Sequence, residues 1–83
     1  MQSVTSKLSP VNSVRAWRYQ PGVNEQPPKG IKARTTLHGA ECLIQRSDGI
    51  TFSVMPMDWV VQIDGGEYFP LHDPVFHALF TLD

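Results

Sequence analysis

The sequence has 83 residues, a mass of 9.3 kDa, one cysteine and a formal net charge of −1. This length suits one small domain and leaves no room for a second core. A content of 41% hydrophobic and 18% charged residues excludes a disordered acidic chain, and one cysteine excludes an internal disulfide. No apolar run approaches the ~18 residues that span a bilayer, and no secretory signal is visible in the polar residues 1–10. We therefore expect a soluble protein of the cytoplasm with no membrane partner.

Charge is divided unevenly along the chain. Seven basic and two acidic residues give residues 1–46 a charge of +5, whereas six acidic residues give residues 47–83 a charge of −6. One interpretation is a bipolar surface whose basic face meets an anionic partner. The simpler interpretation is that the two halves pack side by side and their charges offset.

The first third of the chain predicts one strand between two irregular segments. Residues 1–10 are polar and predict a flexible lead, before a single domain over residues 11–83. Residues 11–19 alternate with period two and predict a strand. Within it, Val14 and Ala16 share one face, and Trp17 and Tyr19 share the other. Residues 20–30 are rich in Pro and Gly and predict a loop.

The rest of the chain predicts short strands joined by tight turns, then a helix. Asp48-Gly49 and the turn Asp64-Gly65-Gly66 are typical hairpin signals. Asp73-Pro74 predicts a helix start with Asp73 as N-cap, and apolar residues then recur at helical spacing. The predicted strands cover residues 31–38, 40–46, 50–55, 59–63 and 67–71.

These elements predict an α+β fold. We expect five or six short strands, joined consecutively by hairpins, to form one small and strongly curved antiparallel sheet, similar to a half-barrel. The short C-terminal helix must bury its apolar stripe on this sheet.

The C-terminal half carries a motif that resembles a known family. The motif consists of Met57-Asp58-Trp59-Val60-Val61, Gly66-Glu67-Tyr68-Phe69-Pro70 and Val75-Phe76. It resembles a family of short phage and prophage proteins that read Pro-Gly-Asp-Trp-Ile-Ile, Gly-Glu-Phe-Tyr-Pro-Cys and Asp-Val-Phe at these positions. With Pro10-Val11 and Val14–Trp17, the likeness covers roughly residues 10–80. It implies a small α+β fold of phage origin and the cytoplasm of a bacterial host, but no reaction.

The sequence departs from this family pattern at several positions. Met57 stands where the family has Gly, so the turn before Trp59 is expected to be built differently. Leu71 stands where the family has Cys, which removes any thiol role there. The usual Pro-Asp is inverted to Asp73-Pro74, and residues 20–30 replace a helix that relatives carry.

Two groups of residues are candidate binding positions. If the family motif is functional, Asp58, Trp59, Glu67 and Tyr68 are its candidates. The strand at 14–19 also mixes basic and aromatic side chains, a combination that suits single-stranded nucleic acid. Its candidates are Arg15, Trp17 and Arg18.

The sequence predicts neither a metal site nor a catalytic centre. His72 and His77 are five residues apart, which is not the spacing of a ligand pair on a helix, and no zinc spacing connects them with His38 and Cys42. Cys42 is expected to be an inert packed residue, so no cofactor is predicted. Asp58 and Glu67 flank one predicted hairpin and offer a carboxylate pair, although simple turn acceptors explain them better.

We therefore expect a small non-enzymatic protein of a bacteriophage or prophage that binds a host or phage protein, with homodimerisation as a further possibility. The alternative is a nucleic-acid or nucleotide binder that uses Arg15, Arg18, Lys32 and Arg34.

Overall fold

The computed structural model describes residues 1–7, 13–23, 27–37 and 39–83, and shows eight strands and one helix. In chain order they are β1 (Gln2–Ser6), β2 (Val14–Arg18), β3 (Ile31–Thr36), β4 (Gly39–Gln45), β5 (Thr51–Val54), β6 (Trp59–Ile63), β7 (Tyr68–Leu71), α1 (Asp73–Leu79) and β8 (Phe80–Leu82). The α+β class with antiparallel pairing and one short helix near the C-terminus is confirmed. No helix in these ranges is long and apolar enough to cross a membrane.

The strands form two sheets, not the single half-barrel-like sheet that the turns predict. A five-stranded sheet has the order β7-β6-β2-β1-β8, and a three-stranded sheet has the order β3-β4-β5. Hairpin signals give the correct neighbours for β3, β4 and β5 and for β6 and β7. They cannot reveal that β2 pairs with β6 or β1 with β8, because these partners are distant in sequence.

The prediction of a loose lead over residues 1–10 is wrong for its first part. Gln2–Ser6 forms a strand that pairs with β2 on one side and with β8 on the other. Val4 is the buried residue of this strand, and Lys7 N–H donates to the Leu79 carbonyl at 2.8 Å. A polar strand of this kind carries little hydrophobic signal, and the pairing of its backbone with two neighbours holds it in place.

Hydrophobic residues pack on both faces of the five-stranded sheet. A helix-side cluster consists of Val4, Val14, Ala16, Trp59, Val61, Phe76 and Phe80. A sheet-side cluster consists of Tyr19, Ile31, Cys42, Ile44, Val54 and Val60, and it joins the two sheets. The period-two alternation of β2 and β6 divides their residues between these clusters, as the sequence predicts.

Helix α1 begins one residue earlier than its sequence signature predicts. His72 is the N-cap residue, and Asp73 is the first helical residue, with Pro74 after it. The Asp73 side chain does not cap the helix, because its carboxylate accepts a hydrogen bond from Trp59 Nε1 at 2.8 Å. The Asp73 carboxylate, which local sequence preference would use to cap the helix, is therefore used in a tertiary hydrogen bond with Trp59 instead.

The turn before Trp59 contains a non-glycine residue in a backbone conformation that glycine adopts readily. Met57 has a φ of 74°, in the left-handed region that favours Gly. The expectation that this turn differs from the turn in the family stays a prediction. Because Met57 carries a Cβ, its left-handed conformation has a steric cost of about 1–2 kcal/mol.

We predict that Met57→Gly raises the free energy of unfolding by about 0.5–1 kcal/mol, because relief of this steric cost exceeds the extra entropy that Gly gives the unfolded chain. Met55→Gly is the matched control, since Met55 and Met57 are both 44% exposed and only Met57 has a positive φ. The control is expected to lower stability. Urea unfolding of both variants checks this, and equal losses would contradict it.

Candidate functional site

An open groove lies at one end of β2, beyond its pairing with β1. The β1–β2 register pairs Gln2 with Ala16 and Ser3 with Arg15, so Trp17 and Arg18 follow the paired segment. The groove has a volume of about 430 Å³. It is lined by Met1, Gln2, Ala16, Trp17, Arg18, Gln20, Trp59, His77 and Leu82, and we call it the Trp17–Arg18 groove.

Trp59 forms the floor of this groove and is held on several sides. Its ring stacks on Phe76 of α1 with a centroid distance of 3.9 Å and an interplanar angle of 5°. Arg18 lies over the ring, with Cζ 5.6 Å from its centroid, a cation–π geometry. His77 meets the ring edge-on at 5.9 Å. Trp59 is therefore only 3% exposed, although it lines the groove.

Asp73 joins three of these side chains through a single carboxylate oxygen. Its Oδ1 accepts the Trp59 Nε1 hydrogen bond and lies 3.1 Å from His77 Nε2 and 3.3 Å from Arg18 Nη2. The hydrogen bond from Trp59, with the charges of Arg18 and His77, holds the pKa of Asp73 below its usual value. Asp73 therefore stays ionised and fixes the positions of Arg18 and His77 at the groove.

Three of the candidate residues from the sequence meet at this groove. Trp17, Arg18 and Trp59 line it, although alternation places Trp17 and Arg18 on opposite faces of β2. Arg15 lies at its margin, where Nη2 donates to the Met1 carbonyl at 3.1 Å. His77 was not among the candidates. His77 follows Asp73 by four residues, and this helical spacing predicts that the two side chains are in contact. The spacing does not predict that His77 lies beside β2.

Asp58 belongs to a separate, smaller site. Its carboxylate accepts the Met55 N–H at 3.2 Å, which confirms a turn-acceptor role, and its Oδ1 lies 2.9 Å from His72 Nδ1. The hydrogen bond and negative charge of Asp58 raise the pKa of His72. Ser53, Asp58 and His72 line a cavity of about 210 Å³ together with apolar residues. Ser53 and His72 do not form a hydrogen bond with each other.

Glu67 and Tyr68 lie at the other end of the β6–β7 hairpin. Glu67 accepts hydrogen bonds from Ser47 Oγ and from Ser47 N–H, the latter at 3.0 Å, and its Oε2 lies 2.9 Å from Arg46 Nε. These hydrogen bonds, together with the charge of Arg46, keep the pKa of Glu67 below its usual value. Tyr68 packs against the sheet-side cluster. Both residues therefore connect the two sheets and do not reach the groove.

The hypothesis of an Asp58–Glu67 carboxylate pair is wrong. Trp59 pairs with Leu71 and Gln62 pairs with Tyr68, so the two carboxylates flank opposite ends of the hairpin. Five residues of strand at ~3.4 Å each separate their positions by about 17 Å. This distance exceeds the separation at which two carboxyl groups share one reacting bond.

The other residues considered for thiol chemistry or metal binding are Cys42 and the histidines. Cys42 is fully buried in the sheet-side cluster, and burial raises the pKa of its thiol, as expected for an inert packed residue. His38 lies outside the described residues. Among the side chains that the structure describes, no three His, Cys, Asp or Glu are placed together to hold a metal ion.

Opposite charges from the two halves of the chain meet, as the simpler interpretation of the charge pattern predicts. Arg18 pairs with Asp73, and Arg46 pairs with Glu67. Arg46 also lies over an aromatic ring, with Cζ 5.8 Å from the Phe52 centroid. Arg46 is therefore a close structural counterpart of Arg18 at the opposite end of the hairpin, and it does not line the groove.

Comparison of the chain with protein-family models, with curated proteins and with solved structures gives no match.

We predict that Asp58→Asn lowers the pKa of His72 and removes one component of the pH dependence of stability. A folded-state pKa raised above 6.5 means that this contact stabilises the protein below about pH 6.5. Its contribution is lost as the pH rises through the folded-state value. Histidine NMR titration and urea unfolding from pH 5.5 to 8.5 measure both effects, and an unchanged His72 titration would contradict the prediction.

We predict that Trp59→Phe raises the pKa of Asp73 toward its usual value, because this change deletes the indole donor and keeps an aromatic ring on Phe76. Carboxyl NMR titration of Asp73 measures the shift. Trp17→Phe is the control, since no hydrogen bond joins Trp17 to Asp73 in the structure, and it is expected to leave the titration unchanged. A pKa of Asp73 that stays equally low in both variants would show that another contact sets it.

Proposed function

We propose that this chain is a small non-enzymatic binding protein that engages a protein partner through the Trp17–Arg18 groove. One observation carries the proposal. Arg18 is held beside a buried indole and a carboxylate, and it lines an open groove together with Trp17. Tryptophan and arginine are the residue types that most often dominate the energy of protein interfaces.

The groove is prepared for binding, because its side chains are already fixed. Arg18 contacts the Trp59 ring and Asp73, and its Nε donates to the Met57 carbonyl at 3.4 Å. Arginine loses much rotamer freedom when it is immobilised at an interface. Contacts that fix Arg18 before binding reduce this cost, so they favour affinity for a partner that uses the same geometry.

The family resemblance supports a biological setting for this function. The motif that includes Asp58 and Trp59 resembles phage and prophage proteins, so we place the protein in the cytoplasm of a bacterial host, where it acts on a host or phage protein. In this proposal Trp59 supports the groove, whereas Asp58, Glu67 and Tyr68 maintain the fold that presents it. A second copy of the chain is a further possible partner.

Nucleic-acid binding is the alternative proposal, and the geometry of the groove supports it less. Base stacking needs an open aromatic face, but Phe76 lies on one face of Trp59 and Arg18 lies over the ring. Lys32 lines a separate cavity of about 230 Å³ with Leu43, Gln45 and Thr51. The side chain of Arg34 lies outside the described part of the chain.

We predict that Arg18→Gln reduces recovery of the partner about tenfold or more, because it removes a fixed arginine from the interface. The assay is quantitative affinity capture from bacterial lysate with the wild type and each variant at equal loading. Arg46→Gln is the matched control, since Arg46 also joins a carboxylate to an aromatic ring. Circular dichroism confirms that both variants are folded.

A partner that the wild type and Arg46→Gln retain and Arg18→Gln loses supports the proposal. Equal recovery by both variants would contradict the assignment of the groove. Nuclease treatment that abolishes every interaction would favour the nucleic-acid alternative, and size-exclusion chromatography at several concentrations tests whether the partner is a second copy.

A further inference from the structure

We infer that the outer face of the three-stranded sheet, opposite the sheet-side cluster, binds a phosphate monoester through Lys32, Gln45 and Thr51. This inference goes beyond the proposed function, because the site lies on a different sheet from the Trp17–Arg18 groove. The residues that line the two cavities, as far as the structure describes them, are also different.

The site is built by one face of three neighbouring strands. Lys32 of β3 lies opposite Leu43 of β4, and Thr51 of β5 lies opposite Gln45 of β4. Leu43 and Gln45 share one face of β4, because they flank Ile44, which is buried in the sheet-side cluster. Lys32 and Gln45 are therefore diagonal neighbours, at a separation of about 7–8 Å that long side chains span. With Gly30, these four residues line a cavity of about 230 Å³.

The three polar side chains of this cavity are not used within the protein. No hydrogen bond or ion pair of the described residues involves the side chain of Lys32, Gln45 or Thr51. By contrast, Lys7 Nζ donates to the His77 carbonyl at 2.6 Å, and Gln62 Nε2 donates to the Gly66 carbonyl at 2.9 Å. An ammonium, an amide and a hydroxyl all carry hydrogen-bond donors. The cavity therefore presents unused donors to a ligand.

The charge of the lining favours a phosphate. Lys32 is the one charged residue among the described residues that line the cavity. Glu41 shares this face of β4 but lies opposite Arg34, and the structure describes no ion pair between Glu41 and Lys32. A lysine ammonium is a point charge that suits phosphate, whereas the planar fork of arginine suits a carboxylate. A phosphate monoester also carries about 1.5–2 negative charges at neutral pH, more than a carboxylate does.

Leu43 favours an ester over inorganic phosphate. It lies on the central strand, opposite Lys32 on one side and Ser53 on the other, and it is half-buried. Its side chain supplies apolar surface beside the donors for the carbon atoms of an ester. Because the cavity is smaller than the sites of about 300–1,000 Å³ that hold drug-sized ligands, it suits a phosphate with few carbon atoms. A phosphorylated side chain and a small phosphorylated metabolite both present this group.

The test titrates n-butyl phosphate, dibutyl phosphate and pentanoate into the 15N-labelled chain at constant ionic strength. The side-chain amide signals of Gln45 and the backbone N–H signals of Lys32 and Thr51 are followed. The monoester is expected to shift these signals with an affinity about tenfold higher than that of pentanoate, because it has more charge and more acceptor oxygens. Dibutyl phosphate is expected to bind more weakly than the monoester, because it carries a single charge.

Three variants locate the site. Lys32→Gln is expected to lower the affinity for n-butyl phosphate about tenfold, because it removes the charge from the cavity. Lys29→Gln is the matched control, since Lys29 is also exposed but does not line the cavity. It is expected to change the affinity by less than about threefold, because salt screens charges outside the site. Thr51→Val removes one donor and keeps the shape, so a loss of about threefold is expected.

Similar losses in Lys29→Gln and Lys32→Gln would overturn the inference, because a diffuse positive potential would then explain the binding. Equal affinities for pentanoate and n-butyl phosphate, or no shift with the monoester, would also overturn it. Shifts produced by oligo(dT) and not by the monoester would overturn it in favour of nucleic acid.

A heptapeptide with one central phosphoserine, titrated in the same way, distinguishes the two sources of the phosphate. Binding tighter than that of n-butyl phosphate supports the inference with a phosphorylated protein as the ligand. Weaker binding than that of n-butyl phosphate supports it with a small phosphorylated metabolite as the ligand. The unphosphorylated heptapeptide is the control, and it is expected to leave the Gln45 signals unchanged.

Discussion

The hydrogen bond from Trp59 to Asp73 is the contact on which the architecture of the groove depends. It joins the first residue of β6 to the first residue of α1, and it accompanies the stack of Trp59 on Phe76. A buried indole N–H needs an acceptor, and an ionised carboxylate is a strong one. The same carboxylate then orders Arg18 and His77. This interaction fixes the helix on the sheet, and the positions of Arg18 and His77 at the groove are a consequence of this packing.

A similar group of side chains lies at each end of the β6–β7 hairpin, but the surroundings of the two groups differ. Arg18 and Arg46 each lie over an aromatic ring and pair with a carboxylate. At the Arg46 end, Glu67 is also bonded to Ser47, so the group connects the turn before β5 to the turn before β7. At the Arg18 end, the group lines the Trp17–Arg18 groove. Similar immediate partners therefore surround an arginine that connects two turns and an arginine that lines a groove.

The sequence predicts most of the local structure here and little of the long-range pairing. Alternation over residues 14–19 correctly divides Val14 and Ala16 from Trp17 and Tyr19, because the period of a strand is a local property. It cannot show that β2 lies beside β6, which requires knowledge of distant partners. Trp17 and Arg18 could be selected as candidates by residue type, and Trp59 by the family resemblance, but the same lack of long-range information meant that His77 could not be placed with them. Asp73 illustrates the opposite error, since a strong local capping preference is overridden by an indole 14 residues away.

The pairing of β1 with β8 has a consequence for how the chain folds. Thr5 lies opposite Thr81, so nearly the entire polypeptide forms the loop between them. The entropic cost of closing a loop grows with its length, and contacts between distant residues slow folding. The β3–β4–β5 meander needs only short loop closures and is expected to assemble early, whereas β1 and β8 are expected to pair late. Until β8 is synthesised, β1 lacks this neighbour, and its polar sequence makes the unpaired edge less prone to aggregation than a hydrophobic edge would be.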